Sequence, residues 1–150
     1  MQRSILNKNP LTNLIYLLLF VMYESLSSIY LFLPPLLAVL FILFTKAIKE
    51  KDTVPLFFIG FLLLIFEADK GYIAFSSIIY FTLVYKIIIP KLKKSFSCSS
   101  CLKISYVLLA YIGFYIFSLF LSTIFLIPIP EFNYYIIYYI VIEFFIVSLL

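Results

Sequence analysis

Histidine and tryptophan are absent from this chain of 150 residues, and only 12% of it is charged. Losing histidine removes the side chain most used for acid–base chemistry near neutral pH and for binding metals. No nucleophile–base pair and no glycine-rich phosphate loop takes its place. The sequence therefore predicts a protein that is not an enzyme. Cysteine is nearly as scarce: Cys98 and Cys101 form a single C-x-x-C in a Ser-rich stretch. Zinc takes four ligands, and with no further Cys or His one chain cannot complete a site. A metal shared across a dimer is the sharper reading and a plain linker the blander one; in a cytoplasmic loop the thiols should stay reduced. No cofactor is expected. The lack of tryptophan is read as compositional drift.

The shortage of charge is more telling. A soluble domain of this length needs a polar surface, and a chain that is 65% hydrophobic lacks the residues to build one. A mean hydropathy of +1.19 with long apolar runs places it among integral membrane proteins. No small-x-small site follows the first apolar run, so that run is expected to stay rather than be cleaved.

The charges that are present set the expected topology. Basic residues fall into three groups: Arg3 and Lys8; Lys46, Lys49 and Lys51; then Lys86, Lys91, Lys93, Lys94 and Lys103. Between them the apolar stretches suggest six crossings at about 11–30, 34–48, 54–66, 72–89, 104–127 and 132–150. Pro34-Pro35 and Pro55 suit first helical turns, Pro90 should stop the fourth span, and Pro128 and Pro130 the fifth. Six crossings place both termini and ten of the eleven Lys/Arg residues on one face, leaving Lys70 on the other. The positive-inside rule makes the rich face cytoplasmic and the location the inner membrane of a bacterium. A re-entrant hairpin for the second and third segments would bury the charged loop 46–52, at about +2.5 to +3.5 kcal/mol per charge. Two short crossings are the better reading. The expected fold is a single all-α membrane domain, residues 1–150, of about six helices with short loops. Its net charge of +4 is directed at lipid headgroups rather than nucleic acid.

Some polar residues are not explained by topology. Glu24 interrupts the first span, and Glu143 lies midway along the sixth among Phe and Ile. Intramembrane carboxylates are costly and must be paired or turned inward. Glu24 has the alternative of marking the outer end of its span, and Glu143 that of packing as a neutral side chain. Lys86 is the basic residue at comparable depth, so depth alone suggests a Lys86–Glu143 pair. Glu67, Asp69 and Gly71 read as an external turn, with glycine supplying a left-handed residue between helices. Two carboxylates make a poor cation site by themselves, so a solvated turn is the simpler reading. Tyr134, Tyr135, Tyr138 and Tyr139 gather at the outer start of the sixth span, as an aromatic belt or, more sharply, a docking face. The outer acidic marks are Glu67, Asp69 and Glu131.

The order of landmarks carries a family resemblance. The first span leads to Leu33-Pro34-Pro35-Leu36-Leu37, and an apolar helix follows with a basic loop, Lys46 to Lys51. Then comes a third helix, Phe57 to Glu67, containing Gly60, a break at Gly71, and a fourth span leading to Lys91-Leu-Lys-Lys94. Over residues 33–94 this resembles the rod shape-determining MreD family. Glu67 stands where that family usually has aspartate, with Asp69 close by. The resemblance implies a non-enzymatic membrane scaffold of the bacterial cell-elongation machinery. Its implied partners are an MreC-like protein and, through it, MreB, the RodA polymerase and a transpeptidase. The alternative is a small membrane-embedded substrate-binding subunit of a vitamin or solute uptake system, which shares the size, span number and apolar character.

Overall fold

The computed structural model describes residues 9–128 and 133–149, so Arg3, Lys8 and Glu131 lie outside the described residues. Within them the secondary structure is entirely helical. Helix α1 covers Pro10–Ile29, α2 Leu37–Glu50 and α3 Thr53–Lys70. Helix α4 runs Ser76–Leu83, widens into a π-turn at Val84–Ile88 and continues as Ile89–Ser95. Helix α5 covers Ser99–Phe125 with its own π-turn at Leu109–Gly113, and α6 covers Tyr135–Leu149. The described connectors are short, so successive helices fold back antiparallel. Two helices, Leu11–Ile29 and Ser99–Phe125, are long and apolar enough to cross a membrane; Tyr135–Leu149 is apolar but shorter.

Two proline expectations need correction. Pro34-Pro35 do not open α2. Each proline disfavours the helical conformation in the residue before it, and Leu36 then adopts a left-handed φ of 53° before the helix starts at Leu37. The stretch between Tyr30 and Leu36 is therefore non-helical, and side chains serve its carbonyls. Tyr23 donates to the Pro34 carbonyl at 2.7 Å, Ser27 to that of Leu33 at 2.9 Å, and Tyr139 to that of Leu31. Pro90, in turn, does not stop α4. It has no N–H to give, and the wide π-turn directly before it, closed by Ile89 N–H to the Val84 carbonyl, absorbs the misfit. Pro55, by contrast, does fall in the first turn of α3, which starts at Thr53.

Helix α2 is the centre of the bundle, touching α3, α4, α5 and α6. Its Leu40, Phe41 and Phe44 are buried, and Phe41 and Phe44 meet Phe81 of α4 with ring centroids 4.8 and 5.8 Å apart. At 14 residues it is about 21 Å long at 1.5 Å per residue. Helix α1 sits at the edge against α3, and its polarity is reversed from that of a helix in water. Asn13, Glu24 and Ser27 are buried, while Leu11, Ile15, Leu18 and Met22 are exposed.

Candidate functional site

Three glutamates are sealed inside the bundle: Glu24 and Glu143 at 0% exposure and Glu67 at 1%. Each lies beside a place where the chain interrupts its helices, and two of them perform the same task.

Glu143 reaches from α6 to the start of α2. Its Oε2 accepts the Ala38 N–H at 2.7 Å, and Oε1 accepts the Tyr111 hydroxyl of α5. The amides of Leu37, Ala38 and Val39 all face this carboxylate. A helix start leaves its first N–H groups without intrahelical partners and carries partial positive charge, so a carboxylate there satisfies both. Sequence depth suggested Lys86 as the partner, and this is a correction: Lys86 lies exposed in the π-turn of α4. The amides of a buried helix start meet the demand for positive charge instead.

Glu67 does the same for α4. Gly71 ends α3 in the left-handed conformation, φ 74°, with its N–H returned to the Glu67 carbonyl. Phe75 is also left-handed, φ 67°, and turns the chain into α4. The Glu67 carboxylate then collects Phe75 N–H at 2.7 Å, Ser76 Oγ at 3.0 Å, Ser77 N–H at 2.5 Å and Ser77 Oγ at 2.6 Å. The turn foreseen as solvated is thus half buried: Asp69 and Gly71 are exposed, but Glu67 is a structural anchor. Two serines nine and ten residues after an acid were the available signal for it.

Glu24 has no such partner, since neither carboxylate oxygen receives a hydrogen bond. The charges acting on it are those of Lys70, Asp69 and Glu143. Lys70, at the end of α3, reaches toward α1 and donates to the Ser27 carbonyl at 3.4 Å. The structure thus places Glu24 and Glu143 within electrostatic reach of each other and leaves Lys86 apart.

Lys70 also lines two openings near the ends of α3, α5 and the start of α6. One, about 440 Å³, is walled by Tyr72, Tyr111, Tyr135 and Tyr139 with Phe66 and Phe114. The other, about 200 Å³, is lined by Tyr72, Ser76, Ser118 and Ser122. The expected tyrosine belt divides here: Tyr134 is exposed, whereas Tyr139 turns inward to the Leu31 carbonyl. Cys98 precedes α5 at its N-cap and is exposed, with Cys101 in the first turn. A hydrogen bond from Cys101 holds the Cys98 thiol below its ordinary pKa. Compared with protein-family models, curated proteins and solved structures, the chain matches none.

Proposed function

We propose that this chain is a six-crossing membrane subunit of the MreD type, a non-enzymatic scaffold for an MreC-like partner in bacterial cell elongation. The observation that carries this reading is the use made of Glu67. It is the acidic landmark of the resemblance over residues 33–94, and its carboxylate is fully occupied in holding the start of α4. Glu143 is likewise occupied at the start of α2. Buried charge spent on helix ends builds shape and leaves little for chemistry.

The polarity of α1 supports the membrane setting. Apolar side chains face outward and polar ones inward, an arrangement costly in water and ordinary in lipid. A helix of 14 residues is too short for a hydrocarbon layer of about 30 Å. In the six-crossing reading, the non-helical stretch before α2 covers the remaining depth, and its backbone is served by protein side chains as a buried irregular segment requires. Lys49, Lys51, Lys91, Lys93 and Lys94 then share the cytoplasmic end, where antiparallel packing brings the end of α2 and the end of α4 together.

Depletion in the source bacterium tests the scaffold. Cells are expected to round up while solute uptake stays normal, and unaltered shape would sink the reading. The cavity of about 440 Å³ favours a second reading, the solute-binding subunit. For that, depletion should abolish uptake of one solute and spare cell shape.

A further inference from the structure

Lys70 stands where two openings meet. It and Tyr72 line both the larger aromatic space and the smaller serine-lined one, so the two openings adjoin at these residues and are treated as lobes of one site. Among the described lining residues Lys70 is the single charge, and no carboxylate faces either lobe. An ammonium has three donors, and Lys70 gives one long bond of 3.4 Å to the Ser27 carbonyl. Its neighbour Glu67 is consumed by α4, and Glu24 acts on it without a hydrogen bond. The ammonium therefore keeps donors for a ligand, while its charge is shared with Glu24.

The lobes differ in chemistry. The smaller is lined by Ser118 and Ser122, one turn apart on α5; Ser118 gives its hydroxyl to the Phe114 carbonyl at 2.9 Å, which leaves that of Ser122 for a ligand. The larger presents rings: Phe66, Tyr72 and Phe114 form a stacked and edge-on cluster with centroids 5.1 to 6.3 Å apart. Its volume of about 440 Å³ falls within the roughly 300–1,000 Å³ usual for ligand pockets.

We propose that this two-lobed site binds an anionic amphiphile. A phosphate or carboxylate head sits on the Lys70 ammonium beside the Ser122 hydroxyl, and the apolar body lies against the aromatic wall. Two sources supply such chemistry: a lipid of the surrounding leaflet and a soluble amphiphile arriving from outside. The inference is independent of the scaffold reading but shares its larger lobe with the solute-binding reading, so lipid retention in vesicles, and not cell shape or uptake, is what tests it.

The test uses the purified full chain in vesicles of equal parts phosphatidylglycerol and phosphatidylcholine, with bound lipid counted by native mass spectrometry. Phosphatidylglycerol should be retained over phosphatidylcholine about fivefold, the size that one cation supplies near a membrane surface. Lys70→Gln should bring the ratio to parity, Lys70→Arg should keep it, and Lys103→Gln, at the other end of the bundle, should leave it unchanged. Gel filtration of each variant separates lost binding from lost folding. In vesicles of phosphatidylcholine alone, dodecyl phosphate serves as the soluble probe. Retention of dodecyl phosphate without phosphatidylglycerol assigns the soluble source, and the reverse assigns the lipid. No preference for either anion, or a preference lost equally in Lys103→Gln, overturns the proposal.

Discussion

Replacing Glu67 by alanine removes the acceptor for four hydrogen bonds at the start of α4 and leaves their donors inside the protein. Ser77 is fully enclosed, so water does not take over its two bonds, whereas Ser76 lines the smaller opening. Hydrogen bonds to a charged acceptor contribute about 1.5–3 kcal/mol each, but such sums are not additive and the hydroxyls can rotate toward other acceptors. Breaking a buried charged cluster from one side costs about 3–5 kcal/mol in total. Glu67→Gln is the informative comparison. Its carbonyl oxygen can keep the three donors now on Oε1, while its amide group must face the Phe75 N–H, donor against donor. About 1–3 kcal/mol should be lost there. Ser77→Ala removes one hydroxyl and should cost about 1 kcal/mol. Helicity followed by circular dichroism in detergent, through a thermal or denaturant ramp, gives the ranking alanine, then glutamine, then the serine variant. At roughly 2–4 °C per kcal/mol for a chain of this size, the alanine variant should melt about 10 °C early. If Glu67→Ala and Glu67→Gln both melt with the parent chain, the carboxylate is not holding α4 and the role given to it is wrong.

The remaining glutamates separate cleanly in the same assay. Glu143→Gln gives up the charge-assisted bonds at the start of α2 and should cost about 1–2 kcal/mol, whereas Glu24→Gln loses no bond and should melt at or above the parent temperature; equal losses in the two would contradict the contrast. In the π-turn of α5, a Cβ at Gly113 would overlap the Tyr80 hydroxyl and lie 3.1 Å from its Cζ. Gly113→Ala should therefore cost about 1–3 kcal/mol, and adding Tyr80→Phe should recover part of it despite losing the 2.7 Å bond to the Leu109 carbonyl; no recovery would place the strain elsewhere. For topology, in a chain with Cys98 and Cys101 replaced by serine, cysteines at Lys49 and Lys91 should react with impermeant maleimide only after lysis and one at Asp69 should react in whole cells, an opposite result at Lys49 removing the six-crossing arrangement.

How much of this was legible in the sequence depended on the range over which the signal acts. Charge grouping and apolar runs are local, and each expected stretch falls on a described helix: that at 54–66 lies within α3 and that at 104–127 on α5, while the stretch at 72–89 stops short of the end of α4 at Ser95. Gly71 was legible for the same reason, because a left-handed helix end is a one-residue property. The prolines misled because proline has two meanings that differ only in context. Pro34-Pro35 fits a first turn as well as an extended connector, and what decides is whether side chains from elsewhere, here Tyr23, Ser27 and Tyr139, can serve the exposed carbonyls. Pro90 fits a helix end unless a π-turn precedes it. The partner of Glu143 was out of reach altogether. It consists of backbone amides 105 residues away, and amides are common to every residue and leave no mark in composition.

The isolation of Glu24 follows from the geometry of the two hairpins. Helices α1–α2 and α3–α4 share a plan, with a buried glutamate near the end of the first helix and a left-handed residue, Leu36 or Phe75, at the head of the second. In the second hairpin the connector is short, Glu67 precedes Ser76 by nine residues, and the carboxylate reaches the helix it precedes. In the first hairpin the connector carries two prolines and folds back along α1, held by Tyr23 and Ser27 at positions flanking Glu24. Glu24, between those two positions, makes no hydrogen bond to the start of α2. The vacancy is filled from the far side by Glu143, with Tyr111 completing its coordination. One helix start cannot take two carboxylates, because the second would add like-charge repulsion without an amide to offset it. Glu24 is thus left with Lys70 as its nearest source of positive charge. Lys70 in turn, at the end of α3, lines both openings.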